Sequence, residues 1–290
     1  MSEAIKNRYD FVFLFDVKDG NPNGDPDQVN LPRADAEDQR GLVTDVCIKR
    51  KIRNFVMLEK SKRVDEYDPE DRFDIFIRQG QVLNSVIDSA SGEKIPERQR
   101  GLADRYYDIR TFGAVLSTGE KGAGTIRGPV QFTFSRSEDR IFQAEHSITR
   151  CAVTTEDDAK KQENREFAST FGRKSTVPYA MYRMHGFVSA VDAQKTKFSE
   201  DDLKLLWKSL INAFEHDRAA ARGEMNPRKL VIFKHSSHLG NELSGRLFER
   251  VTVVKKSDLP RSKDDYKIEV NKEQLPGGIE VKVWPEEVVY

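Results

Sequence analysis

Two cysteines, Cys47 and Cys151, among 290 residues leave no material for a disulfide framework or a thiolate metal cluster. A reducing, cytoplasmic setting is the expectation. Net charge is missing too: 48 basic side chains cancel 48 acidic ones, which argues against a uniformly basic nucleic-acid module. No apolar run approaches the ~20 residues of a membrane span, and MSEAIKNRYD is too polar for a secretory leader. Nucleotide signatures are absent as well. GEKGAGTIRG (119–128) has no Gly-Lys-Ser/Thr, and Gly122, Gly124 and Gly128 are spaced GxGxxxG, so both the P-loop and the dinucleotide fingerprint fail. That stretch reads as a hairpin or loop, with backbone-mediated phosphate contact helped by Lys121 and Arg127 as the alternative. His235 and His238 lack a third ligand, and no HExxH occurs. HGFVSAV lacks the second small residue and the spaced aromatics of an RNP1 motif, so base stacking on an open sheet is not supported.

What is present is a chain long enough for one large domain, or for a core carrying insertions. The balanced charge conceals asymmetry. Residues 16–38 hold seven acidic side chains against two basic ones, whereas 41–60 hold five basic against two acidic. Basic stripes of this kind bind a phosphate backbone when they meet in space.

YDFVFLFDV (9–17) predicts a central strand buried on both faces. From Gly41, GLVTDVCIKRKIRNFVMLEK has helical periodicity, with Ile48, Ile52 and Phe55 on one side and Thr44 a candidate N-cap. Lys49, Arg53 and Lys60 fall within about 40° on the opposite side, with Arg50 adjacent. Residues 61–112 read as an insertion with its own short helices. In 124–137, Val130, Phe132 and Phe134 alternate inward as a half-buried strand. Residues 136–178 are polar and read as an excursion. A strand at 179–193 with Arg183 and His185 on one face comes next. A helix opened by a Ser199/Asp202 capping box follows, with Gly223 as its stop and His216/Asp217 as a surface pair on it. A strand at 229–237 completes the order strand, helix, strand, strand, helix, strand. The fold expected is α+β, with a ferredoxin-like or RNA-recognition-motif βαββαβ core interrupted by insertions.

Residues 19–30, DGNPNGDPDQVN, almost spell an EF-hand. Asp19, Asn21, Asn23, Gly24, Asp25 and Asp27 fit, but Asn30 stands where the bidentate Glu belongs, Pro26 interrupts, and a strand precedes the loop. A shaped connector is the better reading, and its length, about 23 residues from Lys18 to Arg40, points to function. Asp16, Asp19 and Asp25 could hold magnesium, which makes a metal-dependent nuclease the alternative function.

Taken in order, FDVKDGNPNGDPDQVNLPRAD, GLVTDVCIKRKIRNF, DIRTFGAVLST, TIRGPVQFTFSRS, HSITR, RKSTVPYAMY and FEHDRAAARGEMNPRKLVIFKHSSHLGN resemble the backbone subunit of the type I-C CRISPR Cascade surveillance complex, from about Tyr9 to Val254. The resemblance implies a modified RNA-recognition-motif core (1–60, 113–135, 179–254), an inserted finger-like region (61–112), a protruding thumb (136–178) and a C-terminal packing segment (255–290). It implies a non-catalytic scaffold without cofactor or metal. Several copies would polymerise head to tail along a CRISPR RNA, with other Cascade subunits as partners, and present the guide to a target DNA strand. Guide contacts are then expected at Asn21, Asn23, Arg33, Lys49, Arg50 and Arg53, and nucleic-acid or neighbour contacts at Arg150, Arg173 and Lys174.

Overall fold

The apolar run at residues 9–17 forms a strand because it serves two hydrophobic layers at once. In the computed structural model, which describes residues 3–149, 152, 155–163 and 171–290, β1 (Tyr9–Gly20) turns Phe11, Phe13, Phe15 and Val17 into one layer and Val12 and Leu14 into the other. It continues through a loop holding the short ladder β2 (Gly24–Asp25) and β3 (Leu31–Pro32) into β4 (Arg40–Val43) and α1 (Asp45–Glu59). Next come α2 (Leu83–Asp88), α3 (Ile95–Arg105), α4 (Tyr107–Phe112) and a hairpin of β5 (Gly113–Leu116) with β6 (Gly124–Arg127). Then follow β7 (Val130–Phe132), β8 (Ser135–Arg140), β9 (Ala144–Thr149), α5 (Glu156–Glu163) and the long β10 (Phe171–Val188). The rest supplies α6 (Ala190–Thr196), α7 (Glu200–Ile211), β11 (Glu224–His235), α8 (Ser244–Phe248), β12 (Val251–Lys255), β13 (Tyr266–Val270) and β14 (Ile279–Trp284).

These make a mixed α/β protein around a large antiparallel sheet of order β14-β11-β1-β10-β8-β4, with β7 and β9 also paired to β10. On one face α1 packs Ile48, Ile52, Phe55 and Val56, and α7 packs Leu203, Leu206, Trp207 and Leu210, against the phenylalanines of β1. Gly186 of β10 lies under Phe11 so closely that a Cβ would sit 2.0 Å from its ring. On the other face Leu247, Phe248, Val251 and Tyr266 cover Val12, Leu14, Met181, Val231 and Phe233. Around β1, β10 and β11 both faces of the sheet are thus covered.

A separate small core of Phe76, Ile87, Leu102, Tyr106, Ile109 and Leu116 organises the α2–α4 region and its hairpin. Arg110 of α4, fully buried, ties this region to α7: its Nη2 and Nε donate to the Asp202 carboxylate at 2.8 and 3.0 Å. Asp202 also completes the capping box with Ser199, as the sequence predicts. Thr44 is the N-cap of α1, accepting from Cys47 N. Among the described residues no helix is long and apolar enough to cross a membrane.

Several boundaries differ from expectation. The strand expected at 179–193 runs from Phe171 to Val188 and stops because the Ser189 side chain accepts from Asp192 N and starts α6. The helix from Ser199 ends at Ile211, where Asn212 folds back onto the Lys208 carbonyl, so Gly223 precedes β11 and is not its stop. The alternation through Val130 and Phe132 breaks at Thr133, whose backbone and side chain bond His185, and Phe134 emerges exposed instead of buried.

Candidate nucleic-acid interface

The loop after β1 is held at both ends. Asn21 N donates to the Ala221 carbonyl at 2.6 Å, and its Nδ2 to the Asn30 carbonyl at 2.7 Å. Asn23 Oδ1 accepts from both Thr44 N and Thr44 Oγ1 at 3.0 Å, fastening the loop to the first turn of α1. Asp25 accepts from Asp27 N and lies 3.5 Å from the Arg33 guanidinium. The two asparagines thus shape the connector, and Asp25 shapes its turn.

Folded in this way, the loop, the start of α1, the β7–β8 link and the segment before β11 enclose a groove of about 510 Å³. Four of its lining side chains are cationic: Arg33, Arg50, Lys51 and Arg222. One acid sits among them. Asp217, 14% exposed, pairs with the buried Lys51 Nζ and accepts from Arg222 Nε at 2.8 Å. It fixes both cations while cancelling only one charge. Burial pushes the Cys47 thiol up from its usual range, so the group beside the loop stays neutral.

The basic residues of α1 are therefore divided. Arg50 and Lys51 line the groove. Lys49 turns away, 13% exposed, with Nζ 2.9 Å from Asp45 and within 6 Å of the Phe112 and Phe132 rings. Arg53, 11% exposed, bonds Asp108 at 2.8 Å, and Asp108 in turn accepts from Phe76 N and Ile77 N. Lys49 and Arg53 thus anchor α1 to α4 and are not part of an exposed basic edge.

Of the remaining predicted contacts, Lys121 is exposed in the β5–β6 turn, and Arg127 at the end of β6 reaches Asp192 at 3.5 Å. Arg173 and Lys174 lie where β10 pairs with β9. None of these four lines the groove. Arg150 lies outside the described residues. Sequence reading missed Lys51, Arg222 and Phe134 as lining residues. Its surface pair on the second helix is also corrected, because His216 and Asp217 lie beyond α7 and Asp217 is drawn inward by Lys51.

The carboxylates of the nuclease alternative do not converge. Asp16 is buried and accepts from Arg228 Nε at 2.6 Å, Tyr179 Oη at 2.8 Å and Asn226 Nδ2 at 3.2 Å, while Asp19 is exposed and Asp25 belongs to the turn. Among the described residues no three His, Cys, Asp or Glu side chains group as a metal site.

The chain matches the model of the family "CRISPR-associated protein Cas7" over residues 7–271. A protein of Haloferax volcanii named CRISPR-associated protein Cas7 is 25% identical over 237 residues, spanning 71% of this chain and 65%, just under two thirds, of that relative. Two solved structures, "CRISPR RNA-guided surveillance complex, pre-nicking" and "CRISPR RNA-guided surveillance complex", align at 12% identity with TM-scores of 0.48 and 0.42. Each alignment covers 78% of this chain, and 78% and 68% of the respective partner. With the family model matched from residue 7 to residue 271, this chain belongs to the Cas7 family of CRISPR-associated proteins.

Proposed function

We propose that this chain is a non-catalytic backbone subunit of a type I-C CRISPR surveillance complex. It holds a CRISPR RNA by its phosphates, in series with further copies and other Cascade subunits in the cytoplasm, and presents the guide to a target DNA strand. The observation that carries this reading is the groove in which Arg33, Arg50, Lys51 and Arg222 meet in a chain of zero net charge and Cas7 membership. Cations gathered in one channel, without base-reading side chains on an open sheet, suit backbone recognition, while base pairing reads sequence.

The finer architecture is part of the same proposal. β1, α1, β7, β10, α7 and β11 correspond to a βαββαβ core of RNA-recognition-motif type, supported by the adjacency of β11, β1, β10 and β7. The α2–α4 region corresponds to the finger, and β9 with the start of β10 to the thumb, where Arg173 and Lys174 are available to nucleic acid or a neighbour. Lys121 and Arg127 are secondary phosphate contacts. Contact between copies is supported by a second groove of about 590 Å³ that mixes Asp38, Arg40, Arg140 and Lys255, with the exposed apolar Phe142 and Leu259 on its walls.

The test is binding of unrelated single-stranded RNAs across a salt series. Similar affinities for all sequences and a steep, linear fall of log K with log salt are expected. Absence of binding at low salt, or strong preference for one sequence, would refute it.

A further inference from the structure

Phe134 is an aromatic residue of the groove that folding leaves half exposed. Its neighbour in the alternation, Phe132, packs edge-on against Phe11 and Phe112 with centroids 5.8 and 5.7 Å apart. Phe134, two residues later, is 52% exposed and lines the groove with Arg50, Lys51 and Arg222. The chain is pinned beside it, where Thr133 N donates to the His185 carbonyl at 2.9 Å and its Oγ1 accepts from His185 N at 3.1 Å. The ring is thereby held at the groove by its own strand junction. Val46, at the start of α1 and 62% exposed, widens the apolar patch on the same groove.

A fixed, half-exposed aromatic among cations matches a nucleotide, whose phosphate meets the charges and whose base meets the ring. Every base has a π-face, so such a contact adds affinity without selecting sequence. We infer that Phe134 is a stacking platform for one base of the strand held in the groove. This places a single stacked base at the side of the fold rather than on the sheet, which the C-terminal layer covers. The inference rests on the guide-holding reading above and adds to it a residue and a contact.

The experiment compares wild-type protein, Phe134→Ala and Phe134→Trp on short single-stranded RNAs, each carrying one abasic site at a successive position, and on DNA of the same sequence. Phe134→Ala is expected to weaken binding by roughly 5- to 150-fold with the salt slope unchanged, and Phe134→Trp to retain it. The abasic position that weakens binding to wild type should cause no further loss in Phe134→Ala. A loss on RNA alone assigns the platform to the guide, and an equal loss on DNA assigns it to any single strand. If wild type binds and Phe134→Ala binds equally well, or if abasic penalties are the same in both, the platform is refuted while the guide-holding reading stands. A Phe134→Ala protein that binds RNA normally but no longer associates with its own copies assigns the ring to a protein contact and also refutes it. Failure of wild type to bind at low salt refutes the underlying reading instead.

Discussion

Arg50 and Arg53 are three positions apart on α1, yet their loss should have opposite signatures. Arg53 is nearly buried against Asp108, itself 1% exposed. Breaking such a pair by truncating one partner costs about 3–5 kcal/mol, because a charge is left without its counterion. Here Asp108 keeps hydrogen bonds from Phe76 N at 2.8 Å and Ile77 N at 3.0 Å, so Arg53→Ala should cost about 3 kcal/mol, the lower end of that range. Its effect on RNA at temperatures where the protein stays folded should be small. Among the described residues Arg50 donates to Asn54 on its own helix, and Arg222 is fixed at the groove by Asp217. If the groove holds RNA as proposed, replacing both by Ala removes two phosphate contacts, and at about 0.7 per phosphate for single strands the salt slope should shrink by about 1.4. Stability should change by about 1 kcal/mol or less, as for partly exposed charges. Urea denaturation and anisotropy titrations on two unrelated RNAs measure these quantities. The assignment would be refuted if Arg53→Ala reduced the salt slope with stability intact, or if the Arg50/Arg222 double variant left the slope unchanged.

Two further outcomes test the fold. Arg110→Ala strands Asp202 beneath the α2–α4 region and should destabilise by about 3–5 kcal/mol; retention of wild-type stability in denaturant would contradict the tie between α4 and α7. His185, stacked on Phe248 and accepting at Nε2 from Arg183 Nε at 2.8 Å, is held neutral by burial first and by the neighbouring guanidinium second, its pKa falling to about 4. The unfolded chain takes up a proton near pH 6.5 that the folded chain refuses, so this contribution is complete above about pH 6.5 and is lost as pH falls toward 4. Denaturation of wild type and His185→Gln across that window should show their difference shrinking as pH falls; a constant difference would contradict it.

The parts of the fold legible in sequence are those with a local cause. β1 follows from an apolar run with turn residues behind it, α7 from Ser199 and Asp202 three residues apart, and the start of α1 from Thr44. The connector at 19–30 was legible as a shaped turn and not as a calcium loop. Its asparagines line the groove, as the resemblance leads one to expect of guide contacts, and also bond Asn30 and Thr44, which spacing alone does not reveal. The groove was only half legible. A helical projection places Lys49 and Arg53 together on the polar side, but the partner that buries Arg53, Asp108, arrives from α4, 55 residues on. Lys51 is drawn inward by Asp217, 166 residues away. Phe134 was misplaced because one hydrogen-bonded residue, Thr133, interrupts a period of two. Long-range pairing thus decided which cations face solvent, and periodicity could not.

In the proposed function, copies of this chain assemble on a guide RNA held by their grooves. The most direct test is the mass and nucleic-acid content of the assembly purified after coexpression with a CRISPR array, for wild type and for the Arg50→Ala/Arg222→Ala variant. Wild type should purify as a multi-copy particle with protected RNA of uniform length, and the variant as folded, RNA-free protein of lower mass. Wild-type protein that purifies as a monomer without RNA, or a variant particle that retains its full RNA complement, would contradict the account.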